Sequence, residues 1–250
     1  MRLVRAEVLK LVRRRGLMAW SLILTIGVLV VVWTVLVVLH AVNSAHHGPA
    51  GGPSNFRGAA DTLALLGTLT AVLIGATAGS QDVVNGVFRD LVVTGRKRTT
   101  LFNVRIPGAF IVWAPMMVVG FAVAIVASIV FAGDLPNPSS SDVGHELAYI
   151  FAIGVVNLFL AVGLAAIVSA RIVIGVLIVW NIAISHILIA FHSLGGARKF
   201  IDVAAAEHFQ PHVSSDQQVA MSTGAAIVIL AVWAAVFAYA GRFWTNRRDA

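Results

Sequence analysis

Few residues in this chain of 250 are arranged for covalent chemistry. A serine nucleophile needs its base on the same face, yet Ser185 and His186 are adjacent, so on a helix they point about 100° apart. Nucleotide hydrolysis through a P-loop needs Gly-Lys-Ser/Thr, and the three lysines stand as Leu9-Lys10-Leu11, Arg96-Lys97-Arg98 and Arg198-Lys199-Phe200. The glutamates, Glu7, Glu146 and Glu207, form no adjacent pair, and neither His-Glu-x-x-His nor Gly-x-Ser-x-Gly occurs. With no cysteine there is no thiolate ligand and no thiol nucleophile. A metal would need three or four of the eight histidines to converge. The chain is therefore expected to be no enzyme and to hold no metal or cofactor of its own.

The polar groups that remain must be positioned by membrane-spanning helices. The chain is 59% hydrophobic and only 12% charged. Six runs, 17–39, 62–80, 106–132, 147–170, 172–191 and 219–240, contain no Asp, Glu, Lys or Arg. Each approaches or exceeds the roughly 20 residues needed to cross a bilayer core as a helix. Barrel strands alternate over about ten residues, which these runs do not. The expectation is one all-α polytopic domain over 1–250. Segments 1–16, 81–105 and 241–250, with Arg171, carry 15 of the 18 Lys and Arg, which puts both termini in the cytoplasm. The net charge of +7 thus reads as topology, not as nucleic-acid binding.

The first run is longer than the h-region of a secretory signal and is expected to be retained. Before it, residues 1–16 place Val4, Val8, Leu11 and Val12 on one helical face and Arg2, Lys10, Arg13 and Arg14 opposite. That pattern predicts a basic amphipathic helix lying on the inner leaflet, held by membrane lipids. In the outer segment 192–218, Phe200, Ile201, Ala204 and Ala205 share one side of a helix ending at Pro211. It is expected to be interfacial or re-entrant and to cap the pathway.

Ion-coupled transporters and pumps place a charged residue within their spans, and these runs have none. Uphill transport by such a chain would draw its energy from elsewhere. The segment 81–105 combines Asp82, Gly86, Arg89 and Leu91 with a break at Thr94-Gly95-Arg96. It reads as a short helix from Asp82, whose carboxylate suits a helix N-terminus, ending at Gly95 as a C-terminal cap.

This segment resembles the loop after the second helix in the ABC-2 type permease family of ABC transporters. That loop runs acid, three residues, Gly, a Leu-rich turn, a Pro or small residue and a basic step. Asp82 stands where glutamate is usual, Gly95 where proline is common, and Arg105 where a lysine often precedes the third helix. The basic leading helix, the six spans, the tight Ser169-Ala170-Arg171 turn and the long last outer segment extend the resemblance over the chain. The resemblance implies a permease paired with a second copy or a sister permease and docked on two separate ATPase subunits, which would carry ATP and Mg. It also implies that Asp82, Gly86, Arg89, Leu91, Thr94, Gly95 and Arg96 belong to the ATPase-coupling surface. The simpler alternative is that five bases merely retain the loop inside, which requires neither the Asp82/Gly86 spacing nor the break.

Gly67, Ala71, Gly75 and Gly79 form a small-residue stripe suited to close helix packing, within one subunit or between two. Asn181 and Ser185 share a face four residues apart, with His186 beside them. The resemblance implies that the second and fifth helices line a cavity between two permeases, with Thr70, Thr77, Asn181, Ser185 and His186 as its candidate polar lining. Hydrogen bonding between helices is the alternative for the same residues. The expected function is a cell-membrane permease subunit of an ATP-driven exporter of a drug-like, lipid, peptide or other amphipathic substrate. Its rivals are a passive channel, which needs a wettable stripe these runs do not show, and a non-transporting scaffold or sensor, which needs no coupling loop.

Overall fold

The computed structural model describes residues 2–87, 92–93, 95–210 and 219–247. Among the described residues the chain is all-helical, without strands. In order the helices are α1 (Arg2–Val12), α2 (Arg15–Val42), α3 (Pro53–Val84), α4 (Arg98–Asn103), α5 (Arg105–Val130), α6 (Ser140–Ala165), α7 (Ala170–Ala190), α8 (Asp202–Glu207) and α9 (Thr223–Arg247). Six are long and apolar enough to cross a membrane: α2, α3, the continuous α4–α5 rod, α6, α7 and α9. Single π turns interrupt α2 at Ile23–Gly27 and α7 at Trp180–Ile184, while α5 runs through Pro115.

The helices overrun the apolar runs. The second begins at Pro53 and takes in Arg57 and Asp61; the fourth begins after an Ser139 cap whose Oγ accepts from the Asp142 amide, and takes in Asp142 and Glu146. The spans are therefore not free of charge, because helix ends are set by caps and packing and not by hydropathy alone. Asp82 also differs from the expectation. It lies near the C-terminal end of α3 and starts no helix, since nothing halts α3 before Gly86, whose φ of +70° is left-handed.

α3 and α6 form the centre. Two thirds of α3's apolar window and 56% of that of α6 are buried, against 17% for α2 and α9. The outer helices present Val31, Val35, Ile227 and Val232 outward, an apolar perimeter of the kind lipid requires. The small-residue stripe serves this packing inside the chain. A Cβ on Gly75 would lie 2.9 Å from that of Ala161, and one on Gly79 2.8 Å from that of Ala165, both on α6. Gly67 instead faces Met117 on α5, and its carbonyl accepts from Trp113 Nε1 at 2.9 Å. Ala71 is fully buried between these contacts.

The bundle has two unlike ends. At the base-rich end α1 packs on α5, and Arg98 of α4 donates to the Asn246 carbonyl near the end of α9 at 3.2 Å. The apolar side of α1 is turned to protein: Leu11 is fully buried, and Gly108 leaves room for the backbone and Cβ of Glu7. At the opposite end the 192–210 segment folds back against the bundle. A 3-10 stretch (His192–Phe200) leads to α8, whose Asp202 to Ala206 are all buried against α6, α7 and α9. Phe200 does not share their face. Ile201 is extended, so the single helix expected here is two elements, and Phe200 is exposed on the first.

Candidate functional site

Two polar constellations stand out, one at each end of the bundle. At the base-rich end, Asp82 sits where the dipole of α3 is negative, a poor place for a carboxylate unless cations answer it. Two do. Lys10 Nζ donates to Asp82 Oδ1 at 2.8 Å, and an Arg105 amine donates to Asp82 Oδ2 at 3.2 Å. Arg105 also donates to the Gly79 carbonyl at 2.8 Å, and Lys10 forms a second ion pair with Glu7. Arg105 is 1% exposed and Asp82 3%, so this is a buried network that joins α1, α3 and α5. Its formal charges cancel. Burial raises the Glu7 carboxyl above its ordinary value, and the hydrogen bond and charge of Lys10 oppose that rise.

The network bears on the expected coupling residues. Asp82 and Arg105 are occupied with each other and offer no free charge to a docking surface. Gly86 and Gly95, at φ +70° and +82°, are exposed positions where the chain turns, and Arg96 is exposed beside them. Arg89, Leu91 and Thr94 lie outside the described residues. The Asp82–Arg105 pairing was signalled by two opposite charges flanking one loop, but not its closure by Lys10 from the leading helix.

At the opposite end a cavity of about 250 Å³ opens between α3, α6, α7 and α8. Asp61, Thr68, Tyr149, Asn181, His186 and Glu207 supply its polar lining, with Gln210 at the rim, where its Nε2 donates to Asp61 Oδ1 at 2.7 Å. Ala64, Leu65, Ile153 and Val203 complete the walls. Residues 61, 64, 65 and 68 recur at helical spacing, so one face of α3 builds one wall. Asn181 is held by Asn157 on α6 in a reciprocal amide pair: Asn157 Nδ2 donates to Asn181 Oδ1 at 3.1 Å, and Asn181 Nδ2 to Asn157 Oδ1 at 2.7 Å. The second N–H of each goes to its own helix, at Ile153 and Leu177. Such pairing is what an amide needs in a low-dielectric interior.

Glu207 is placed by α8, which is anchored from two sides. Trp180 Nε1 donates to Asp202 Oδ1 at 2.9 Å, and Trp233 Nε1 to the Phe200 carbonyl at 2.8 Å. Burial raises Asp202, against the Trp180 hydrogen bond, and burial alone pushes the Glu207 carboxyl up to about 7. His186 Nδ1 lies 3.5 Å from Glu207 Oε1.

Of the residues expected to line a cavity between two permeases, Asn181 and His186 line this different cavity, which lies within the single chain. Thr70 and Thr77 instead donate back to the Leu66 and Leu73 carbonyls of α3, and Ser185 is fully buried against the Asn181 carbonyl. The missed lining residues, Asp61, Thr68, Tyr149 and Glu207, come from three helices, so no single stretch of sequence brings them together. Among the described residues no three His, Asp or Glu side chains are placed to hold a metal ion. No protein-family model and no curated protein matches this sequence, so the functional reading rests on the geometry of these two ends.

Proposed function

We propose that this protein is the membrane permease subunit of an ATP-driven ABC transporter, working with a second permease copy or a sister permease and with separate ATPase subunits. The ATP and Mg belong to those subunits, and the chain's own part is to convert their movement into a change of access. The observation that carries this reading is the buried Asp82–Lys10–Arg105 network at the root of the 81–105 segment. A push on that segment reaches three elements at once, because α1, the end of α3 and the start of α5 are tied by charge-assisted hydrogen bonds. α3 then packs along its glycine side on α6, so displacement of its end carries to the centre of the bundle. The 15-to-3 distribution of bases supports a cytoplasmic location for this end by the positive-inside rule, on the side where ATP is. Alternating access follows as a population shift, with the ATPase favouring one arrangement when ATP is bound and the other after hydrolysis.

The test is to isolate the tagged full-length protein from its native membrane in mild detergent. A nucleotide-binding subunit should co-purify in stoichiometric amount with vanadate-sensitive ATP hydrolysis. Isolation of the chain alone, with no hydrolysis, would favour the scaffold or sensor reading.

A further inference from the structure

We propose that the cavity between α3, α6, α7 and α8 binds a small organic ammonium ion. Its charged head would lie near Glu207 and Asp61 and donate to the Thr68 hydroxyl, with its alkyl part against Leu65, Ile153 and Val203. This concerns the outer end of the chain alone and holds whether or not an ATPase drives it.

Charge comes first. Two carboxylates line the cavity and no Lys or Arg does. Glu146, which interacts electrostatically with Asp61 of the lining, adds a third carboxylate, and Arg57 beside it is paired with Asp142 at 3.2 Å. An anion would find no partner there. Nor is the site shaped for a bare metal ion, since no three ligating side chains converge among the described residues. Four apolar residues share the walls with the carboxylates, a mixture that suits a cation carrying hydrocarbon.

Thr68 gives the second, independent indication. It is 3% exposed, lies on the cavity face of α3, and its Oγ1 has no hydrogen-bond partner. Thr70 and Thr77 on the same helix close onto their own backbone, four residues back, at 2.9 and 2.7 Å. Thr68 does not, although a buried hydroxyl without a partner costs free energy. An ammonium N–H donor in the cavity satisfies it. Size favours a small ligand: at about 250 Å³ the cavity lies below the ~300–1,000 Å³ of sites that take drug-sized molecules, and a short amine fits.

Binding should depend on pH through Glu207. The groups around it are His186 from α7, Tyr149 from α6 and Asp61 from α3, with Glu146 of α6 next to Tyr149 and Asp61. Residues 223–238 of α9 include no titratable side chain, and Arg198 of the 3-10 stretch is turned to the Ile189 and Gly195 carbonyls. Acidification neutralises Glu207 and so removes an attraction for the cation.

The experiment is equilibrium dialysis of full-length protein in detergent micelles, against protein-free micelles, with radiolabelled n-butylammonium and with 1-butanol as the neutral match in size. The ammonium should bind the protein and the alcohol should not. Glu207→Gln should weaken the ammonium about tenfold or more, the effect of losing a charge-assisted contact. Lowering the pH from about 8 to about 5.5 should weaken it in the wild type far more than in Glu207→Gln. Thr68→Val, which keeps the shape and removes only the hydroxyl, should weaken it several-fold and stands as the second variant if Glu207→Gln folds poorly. Equal binding of alcohol and ammonium, or unchanged ammonium binding in Thr68→Val together with Glu207→Gln, would overturn the proposal.

Discussion

Replacing Asp82 by Ala removes one carboxylate from two cations. Lys10 is about a third exposed, keeps Glu7, and loses little, about 0–1 kcal/mol for an exposed pair. Arg105 is different. Its side chain is 1% exposed, its Nε already lacks a partner, and without Asp82 only the Gly79 carbonyl at 2.8 Å remains. Leaving a buried charge uncompensated costs ~3–5 kcal/mol. At ~2–4 °C per kcal/mol for a chain of this size, Asp82→Ala should lower the melting temperature on the order of 10 °C. Tryptophan fluorescence of the detergent-solubilised protein measures this. Arg105→Met, by removing the stranded charge, should restore much of the loss when combined with Asp82→Leu, a coupling that a double-mutant cycle isolates. An Asp82→Ala protein that melts with the wild type would refute the buried network.

Other consequences follow from the same geometry. Single replacements Asn157→Leu and Asn181→Leu should each destabilise by ~1–3 kcal/mol by leaving the opposite amide unpaired, and the double variant by less than their sum, as read by thermal unfolding. Glu207 is raised from 4.5 to about 7, so its contribution to stability is fully present below pH 4.5 and is lost as pH rises through about 7; Glu207→Gln should flatten that slope in melting curves taken across this range. Gly75→Val, whose side chain would meet Ala161 and the Leu158 carbonyl, should destabilise by ~1–3 kcal/mol or more, whereas Gly175→Ala on α7, with nothing within 4 Å, should stabilise by ~0.5–1 kcal/mol. Because the chain has no cysteine, a single one at Thr99 should react with an impermeant maleimide only after permeabilisation, and one at Ser140 from outside intact cells.

Hydropathy made the six long helices legible, since runs without a charge leave the backbone no better way to satisfy itself in lipid. Where the helices begin and end was not legible. Arg57, Asp61, Asp142 and Glu146 extend α3 and α6 past their apolar runs because Arg57 and Asp142 answer each other across the helices, a contact 85 residues apart in sequence. Asp82 read as a helix start because acids favour N-termini. Its stabilisation at a C-terminal end comes from Lys10 and Arg105, 72 and 23 residues away. Asn181 was conspicuous in an apolar run, and Asn157, equally alone in the run before it, carried the same signal and is its partner. The cavity between α3, α6, α7 and α8 was the least legible part. Its carboxylates come from α3 and α8, and only folding of the 192–210 segment against the bundle brings Glu207 to the wall that Asp61 and Thr68 begin.

The proposed function requires that the 81–105 segment meet an ATPase. Its most direct test is a photo-crosslinking amino acid at Arg96, an exposed position at the turn after Gly95, incorporated into the full-length protein in its native cell. After illumination, mass spectrometry of the purified adduct should identify a nucleotide-binding subunit, with a yield that changes between ATP-depleted and ATP-replete cells. An adduct to lipid or to this chain alone, insensitive to ATP, would contradict the account.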